Sequence, residues 1–367
     1  MEKTEHLCKK CIMSDQIEGV VIEENGHCNF CNDHQPFEPY DESELIHILK
    51  KARRKGRTYD ALVPLSGGKD STYVLYLAVQ KYDLNVLTYT YDNGFLSDFA
   101  RENIASAVKA CGVDHIWVHQ SQKMLYELYR TALVESGEIC GVCGVGIERS
   151  MLKVSEAYKT PLILLGHTAN EENSFSSEEI YDQKRLKVIL RKNRKIGKRE
   201  IRRFLLYPRL NYISSFLFTK TGRFGKKVNM LYYQKPLSDK EISVLLKKEM
   251  NWVEPTHSDY TRHFDCIAEP FTNFVREERF GNSRRVPQLC NMIRNEEMTR
   301  EEALRVVAED EKKQQHSDFK EVLDALHLSE KEMDRICEIP PNVYGEHRSF
   351  SNQFFARLRA LLKKNSH

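Results

Sequence analysis

Tyr59-Asp60-Ala61-Leu62-Val63-Pro64-Leu65 runs without a break into Ser66-Gly67-Gly68-Lys69-Asp70-Ser71 and then Thr72-Tyr73-Val74-Leu75-Tyr76-Leu77. The stretch reads as a short buried strand, a glycine turn and an amphipathic helix. Glycine permits the tight turn and lets backbone N–H groups approach a ligand with no Cβ in the way. The helix aims its unpaired N–H groups and the positive end of its dipole at the same point, which predicts an anion there. Lys69 adds a mobile positive charge, and the Ser66 and Ser71 hydroxyls can donate to phosphate oxygens. The Gly-x-x-x-x-Gly-Lys-Ser/Thr spacing of a Walker loop is absent.

Downstream, Asn85-Val86-Leu87-Thr88-Tyr89-Thr90-Tyr91 is a β-branched and aromatic strand that ends at Asp92-Asn93-Gly94-Phe95. A helix over about 97–111 and a strand at His115–Val118 follow. A later helix over about Ile147–Tyr158 leads to the strand Pro161-Leu162-Ile163-Leu164-Leu165 and then Gly166-His167. Strands alternating with helices predict a doubly wound parallel α/β sheet. Ligands of such sheets bind beyond the carboxyl ends of the strands. Ser66–Ser71 and Asp92–Gly94 both lie at such ends and are expected to face one pocket.

The chain has 367 residues, enough for a large domain with a smaller one or an attachment. Hydrophobic residues at 41% and charged residues at 30% describe a globular protein with an ample core. A net charge of +3 is too small to imply a nucleic-acid or membrane partner. No run approaches the roughly 18 apolar residues a membrane span needs, and Met1–His6 lacks the apolar core of a signal peptide. The cytoplasm is the expected compartment, where ten cysteines argue for metal or catalysis over disulfides.

Cys8-x2-Cys11 and Cys28-x2-Cys31 fit a four-cysteine zinc ribbon, with Gly19–Ile22 and Glu23–Gly26 as the strand and turn of its hairpin. A redox or iron–sulfur role is the rival reading. From Lys184 to Arg203 lie eleven Lys or Arg residues and one acidic residue, Glu200. This run reads either as a solvated helix face or as a surface for phosphates. The segment from Tyr207 to Tyr233 is aromatic, with Tyr212, Phe216, Phe218 and Phe224. Ser238 and Glu241, and Thr299 and Glu302, have capping-box spacing at the starts of two later helices.

Ser-Gly-Gly-Lys-Asp-Ser resembles the pyrophosphate loop (PP-loop) of ATP pyrophosphatases, of the form Ser-Gly-Gly-x-Asp-Ser. The resemblance implies an adenine nucleotide alpha-hydrolase-like fold in which ATP is cut between its α- and β-phosphates. A substrate oxygen is adenylated, pyrophosphate leaves and a nucleophile displaces AMP. It further implies ATP and Mg2+ at Ser66, Gly67, Gly68, Lys69, Asp70 and Ser71, with Asp92 near the adenine and ribose. Gly166-His167-Thr168-Ala169-Asn170-Glu171-Glu172 is similar to a sequence that closes the nucleotide pocket in this superfamily. Lys69, Asp70 and His167 are the implied catalytic residues.

Four features together look like the N-acetyl sugar amidotransferases of surface-polysaccharide (lipopolysaccharide) biosynthesis. They are the four-cysteine ribbon, the loop, Phe280-Gly281-x-x-Arg284-Arg285 and Met298-Thr299-Arg300-Glu301-Glu302-Ala303-Leu304. That resemblance implies ATP-dependent amidation of a nucleotide-linked N-acetyl sugar acid, with ammonia from a separate glutaminase partner. Two features depart from it. Gly166-His167 stands where Gly-Glu is expected, and Cys140-x2-Cys143 with Cys266, in Asp265-Cys266-Ile267-Ala268, is more like the tRNA thiolation branch. There three cysteines hold a [4Fe–4S] cluster, and three thiolates leave one iron open. Nucleic acid is a partner only in this alternative; the plain reading makes Cys140 and Cys143 buried small side chains or a second zinc half-site and Cys266 a core cysteine. The expected organisation is a structural-zinc ribbon over 1–40, a PP-loop α/β domain over 41–255 with a basic insertion near 180–230, and a helical region over 256–367.

Overall fold

The computed structural model describes residues 6–17, 19–53, 57–167, 180–205, 220–235, 237–254, 264–281, 285–313 and 319–347, with the backbone alone for 310–313. Asn170, Glu171, Glu172, Tyr212, Phe216, Phe218 and Arg284 lie outside the described residues.

A turn of helix α1 (Asn29–Asn32) and the helix α2 (Glu42–Ala52) precede the sheet. Strand β1 (Ala61–Pro64) leads through the loop into α3 (Lys69–Tyr76), which continues as a π-helical turn over Leu77–Lys81. Strand β2 (Val86–Tyr91), α4 (Asp98–Cys111), β3 (Asp114–Val118), α5 (Gln122–Ser136), α6 (Cys140–Tyr158) and β4 (Leu162–Leu165) follow. The basic segment forms α7 (Gln183–Leu190) and α8 (Lys198–Leu205), before β5 (Lys226–Asn229) and α9 (Asp239–Met250). The chain then continues as helices α10 (Glu269–Phe280), α11 (Arg285–Arg294), α12 (Arg300–Lys313), α13 (Lys320–Leu326) and α14 (Glu330–Cys337).

The strands form one sheet in the order β3-β2-β1-β4-β5, and every adjacent pair is parallel. Leu62 is in register with Leu87 on one side and Ile163 on the other. All six residues of β2 are buried, as expected of a parallel strand covered on both faces. Strand order reverses between β1 and β4, so the crevice at the sheet's carboxyl edge opens there. The loop and Gly166 occupy the two sides of that crevice.

One face of the sheet packs Val63, Val74, Leu75 and Ala78 against Ile242, Leu246 and Trp252 of the α9 region. Ser238 and Glu241 form the expected capping box of α9, and Thr299 and Glu302 exchange the same bonds at the start of α12. One local reading is corrected. The helix placed from about Ile147 begins at Cys140, because Ile139 enters it already helical and Glu138 Oε1 accepts from Cys140 N at 2.7 Å. The short ribbon hairpin forms where the sequence places it: Ile22 bridges Cys28 antiparallel, Glu23 N donates to the His27 carbonyl, Asn29 N to that of Val21, and Gly26 N closes the turn on the Glu23 carbonyl. Val21 N turns to Asn29 Oδ1 and Cys28 N to Cys8 Sγ.

The N-terminal module shares one core with the far end of the chain. Ile12, Met13, Ile17 and Val20 pack with Leu289, Met292, Met298 and Ala303 of the α11–α12 hairpin. A second helical core joins α5, α6, α7 and α8 to α10, α13 and α14. The basic segment is therefore half structural. Leu186, Ile189, Ile201 and Phe204 are buried, and even Arg185 is buried, its Nε donating to the Val343 carbonyl. Arg191, Lys192, Arg194, Lys198, Arg199 and Arg202 face outward.

Candidate functional site

The loop is held by its own hydroxyls and by two residues far along the chain. Ser66 Oγ and Ser71 Oγ lie 3.2 Å apart, Gly68 N donates to Ser66 Oγ, and Ser71 Oγ donates to the Gly68 carbonyl. The Gly67 carbonyl accepts from Asn103 Nδ2 at 3.1 Å and from Trp252 Nε1 at 3.0 Å. Asn103 also exchanges bonds with the Val253 backbone, so α4 and the end of α9 clamp the loop from outside. Gly67 adopts φ +84°, and a Cβ there would sit 2.4 Å from the Ala100 carbonyl oxygen. Only glycine satisfies both conditions. Gly166 is needed for approach of another kind, since its Cβ would lie 3.0 Å from the Asp70 carbonyl oxygen and from Val74 Cγ2. His167 follows directly and is exposed.

Carboxylates surround the loop lysine. Lys69 Nζ is 3.2 Å from Asp70 Oδ1 and in short contact with Asp239 Oδ1 at the start of α9. A third carboxylate, Asp265, lies against Gly68: a Cβ on Gly68 would be 3.4 Å from Asp265 Oδ2. The segment bearing it is zipped to the chain after β2, with Ser97 N donating to the Asp265 carbonyl and Ile267 N to that of Phe95. Asp92 sits at the end of β2, where Oδ1 accepts from Gly94 N and Oδ2 meets Arg101 Nη2 at 3.3 Å and His119 Nδ1 at 3.2 Å.

Beside this edge the fold gathers Cys143 and Cys266, which are 123 positions apart in the chain. Asn93 Nδ2 reaches the sulfur of Cys143 at 3.7 Å and that of Cys266 at 3.9 Å. Cys140 lies one helical turn before Cys143, and all three pack against the same helical core. Burial, followed by the neighbouring Cys143, pushes the Cys266 thiol up to about 12. Burial also raises Cys143, while hydrogen bonds from Asn93 and Tyr129 act in the opposite direction. Thiols in such a place ionise when a cation shares the site.

The N-terminal cysteines form a tighter group. Cys8 and Cys31 sulfurs are 3.8 Å apart, Cys11 and Cys28 sulfurs 3.7 Å, and all four lie within 4.8 Å of one another and are buried. A tetrahedral ion with metal–sulfur bonds of about 2.3 Å requires sulfur–sulfur edges of about 3.8 Å. The four residues thus fit one Zn2+, and among the described residues they are the group close enough for a single ion. The Cys11 thiol and burial hold Cys31 up to about 12, a cost that a bound cation reverses. Arg300 Nε donates to the carbonyls of Cys8 and Cys11, and Arg294 Nη1 approaches Cys31 Sγ at 3.9 Å.

The same helices carry the family relationship. Residues 254–360 match the family described as LPS biosynthesis protein WbpG-like, C-terminal domain. That segment is similar to the WbpG-like C-terminal domain. The matching segment supplies Asp265 at the loop, Cys266 beside Asn93, and Arg294 and Arg300 at the ribbon. Over 124 residues the chain is 27% identical to an uncharacterized protein, MJ1599, of Methanocaldococcus jannaschii, covering 33% of this chain and 45% of that one. The match therefore spans less than half the length of this curated relative. Among solved structures, the U34-tRNA thiolase NcsA from Methanococcus maripaludis with its [4Fe–4S] cluster aligns at 16% identity and a TM-score of 0.35, over 83% of this chain and 88% of that one. The NH3-dependent NAD synthetase from Campylobacter jejuni subsp. jejuni in complex with the nitrate ion aligns at 13% identity and 0.24, over 58% and 94%. Sheet order, loop and four-cysteine group together make the fold a parallel α/β sheet carrying a PP-loop-like Ser66–Ser71 turn, with an N-terminal cysteine ribbon and a helical C-terminal region.

Asn103, Trp252, Asp239 and Asp265 belong to no sequence motif quoted for the nucleotide site. Asp265 was visible only as the neighbour of Cys266, and nothing local marks Trp252 as a loop anchor.

Proposed function

We propose that the protein adenylates a carboxylate oxygen of a nucleotide-linked N-acetyl sugar acid with ATP and then converts the acyl adenylate to an amide. The observation that carries this reading is the meeting of two parts. The segment similar to the LPS-biosynthesis family brings Asp265 against Gly68 of the Ser66–Ser71 loop, which supports reading that loop as the nucleotide site. In the reaction, the acceptor oxygen attacks the α-phosphorus, the bond to the β-phosphate breaks, and pyrophosphate leaves with the electron pair. Ser66, Ser71 and the N-terminus of α3 receive the phosphates, Lys69 offsets the charge of the leaving group, and Asp70 orients Mg2+. Ammonia from a glutaminase partner then attacks the acyl carbon, AMP leaves with its oxygen, and a proton passes to water. Incubation with ATP, ammonium and such a sugar acid is expected to give AMP and the amide in equal amounts by mass spectrometry. AMP formed without the amide would refute the acceptor class.

A second reading is favoured by one contact, the shared donation of Asn93 to Cys143 and Cys266. Cys140, Cys143 and Cys266 would hold a [4Fe–4S] cluster, which when bound offers an open iron for sulfide in a thiolation reaction. Asn93 and Tyr129 then orient the half-buried thiolates. Four irons per chain after anaerobic purification would favour this reading; iron-free protein that amidates the sugar acid would exclude it.

A further inference from the structure

Lys69 is the loop's only side-chain cation, and it does not stand free over the phosphate position. Its ammonium is gripped by Asp239, which lies 170 residues further on and belongs to neither the loop nor the crevice strands. Asp239 is rigidly mounted. It is the first residue of α9, directly after Ser238, whose N–H and hydroxyl both donate to Glu241. Ile242, Leu246 and Met250 anchor that helix in the core that also holds Tyr73, Val74 and Leu77 of α3 and its π-helical extension. The ammonium is nearly enclosed, with 13% of the Lys69 side chain exposed against 41% for Asp239. With Asp70 on its other side, the Lys69 ammonium is flanked by two carboxylates at the loop.

We propose that Asp239 is a positioning residue that competes with phosphate for Lys69, so that nucleotide binding exchanges the Asp239 contact for the phosphate chain. The inference rests on the nucleotide-site reading given above and concerns the regulation of that same site. Two consequences follow from the charges. Lys69 is handed to the phosphates only after its carboxylate partner is left behind, which weakens nucleotide binding. The same carboxylate recaptures Lys69 as pyrophosphate departs, which favours product release. An arrangement of this kind trades ground-state affinity for turnover.

Isothermal titration of ATP and, separately, of pyrophosphate into the full chain tests the proposal in the wild type and in Asp239→Asn, Asp239→Glu and Lys69→Ala. Asp239→Asn keeps an acceptor for Lys69 but removes the charge. It is expected to bind both ligands about three- to tenfold more tightly, the range for a partly exposed charge pair. Asp239→Glu, which restores the carboxylate, is expected to return towards wild-type affinity, and Lys69→Ala to bind weakly. A merely structural role for Asp239 predicts weaker binding in Asp239→Asn and would overturn the proposal. So would unchanged affinity in that variant while Lys69→Ala loses binding, an outcome that leaves the nucleotide site standing. Failure of the wild type to bind ATP would overturn both.

Discussion

Two pairs of cysteines with the same written spacing end in different structures. Cys8-x2-Cys11 turns back on itself, with Cys11 N donating to Cys8 Sγ and Met13 N to Cys11 Sγ. The second ribbon pair closes the group at 3.7–3.8 Å, the size of one ion. Cys140-x2-Cys143 instead lies in the first turn of α6, and its partner thiol arrives on a separate segment through an amide shared with Asn93. A single ion is matched by the first group, whereas the second has the looser gathering that a larger cluster or no metal accommodates. The difference teaches that Cys-x2-Cys fixes a pair of ligands, while the backbone around it fixes the size of the site.

The sharpest way to break this comparison is Cys28→Ser/Cys31→Ser. The double variant is expected to lose one equivalent of zinc by metal analysis and to expose the ribbon to proteolysis. Structural zinc sites contribute about 10–16 kcal/mol to the folding of small modules, more than the Ile12–Met13–Ile17 packing supplies alone. Retention of a full zinc equivalent would contradict the assignment. Arg300→Ala should have a smaller effect on the same region. Removing its donation to the Cys8 and Cys11 carbonyls is expected to cost about 1–3 kcal/mol, read as a lower thermal midpoint with zinc retained.

On the other side of the comparison, Cys143→Ala/Cys266→Ala should leave both zinc content and ATP affinity at wild-type values. Their sulfurs touch Asn93 rather than the loop. Loss of zinc in this variant would show that the two sites are not separate. A further expected effect separates acid release of zinc from acid loss of sheet stability. Burial holds His115 down to about 4, against an ordinary value near 6.5. The unfolded chain therefore binds more protons than the folded one between those values, so stability is lost as pH falls from 6.5 towards 4. His115→Asn should flatten the denaturation midpoint across that window and leave the pH of zinc release unchanged.

The sheet and loop were legible because both depend on local pattern. An uninterrupted apolar strand, a Gly-Gly turn and a helix start lie within Ala61–Tyr76. The ribbon was legible as a set of ligands and as a turn because Glu23–Gly26 closes locally, whereas the donation of Cys28 N to Cys8 Sγ spans 20 positions and carries no local mark. The start of α6 was misplaced because Cys140-Gly141-Val142-Cys143-Gly144 looks like a turn until Glu138 is seen to bond Cys140 N. Asp239, Trp252 and Asn103 could not be found locally. Each acts on the loop through tertiary contact across at least 36 positions. The ribbon's docking on α11 and α12 is equally non-local, joining Ile12 and Met13 to Leu289 and Ala303.

Cleavage of ATP labelled at the α-phosphate tests the central claim most directly. In the presence of ammonium and a nucleotide-linked N-acetyl sugar acid, the wild type is expected to convert the label to AMP with release of pyrophosphate. Lys69→Ala, folded and with zinc in place, is expected to lose that activity. Label appearing in ADP, or AMP formed equally by Lys69→Ala, would contradict the account.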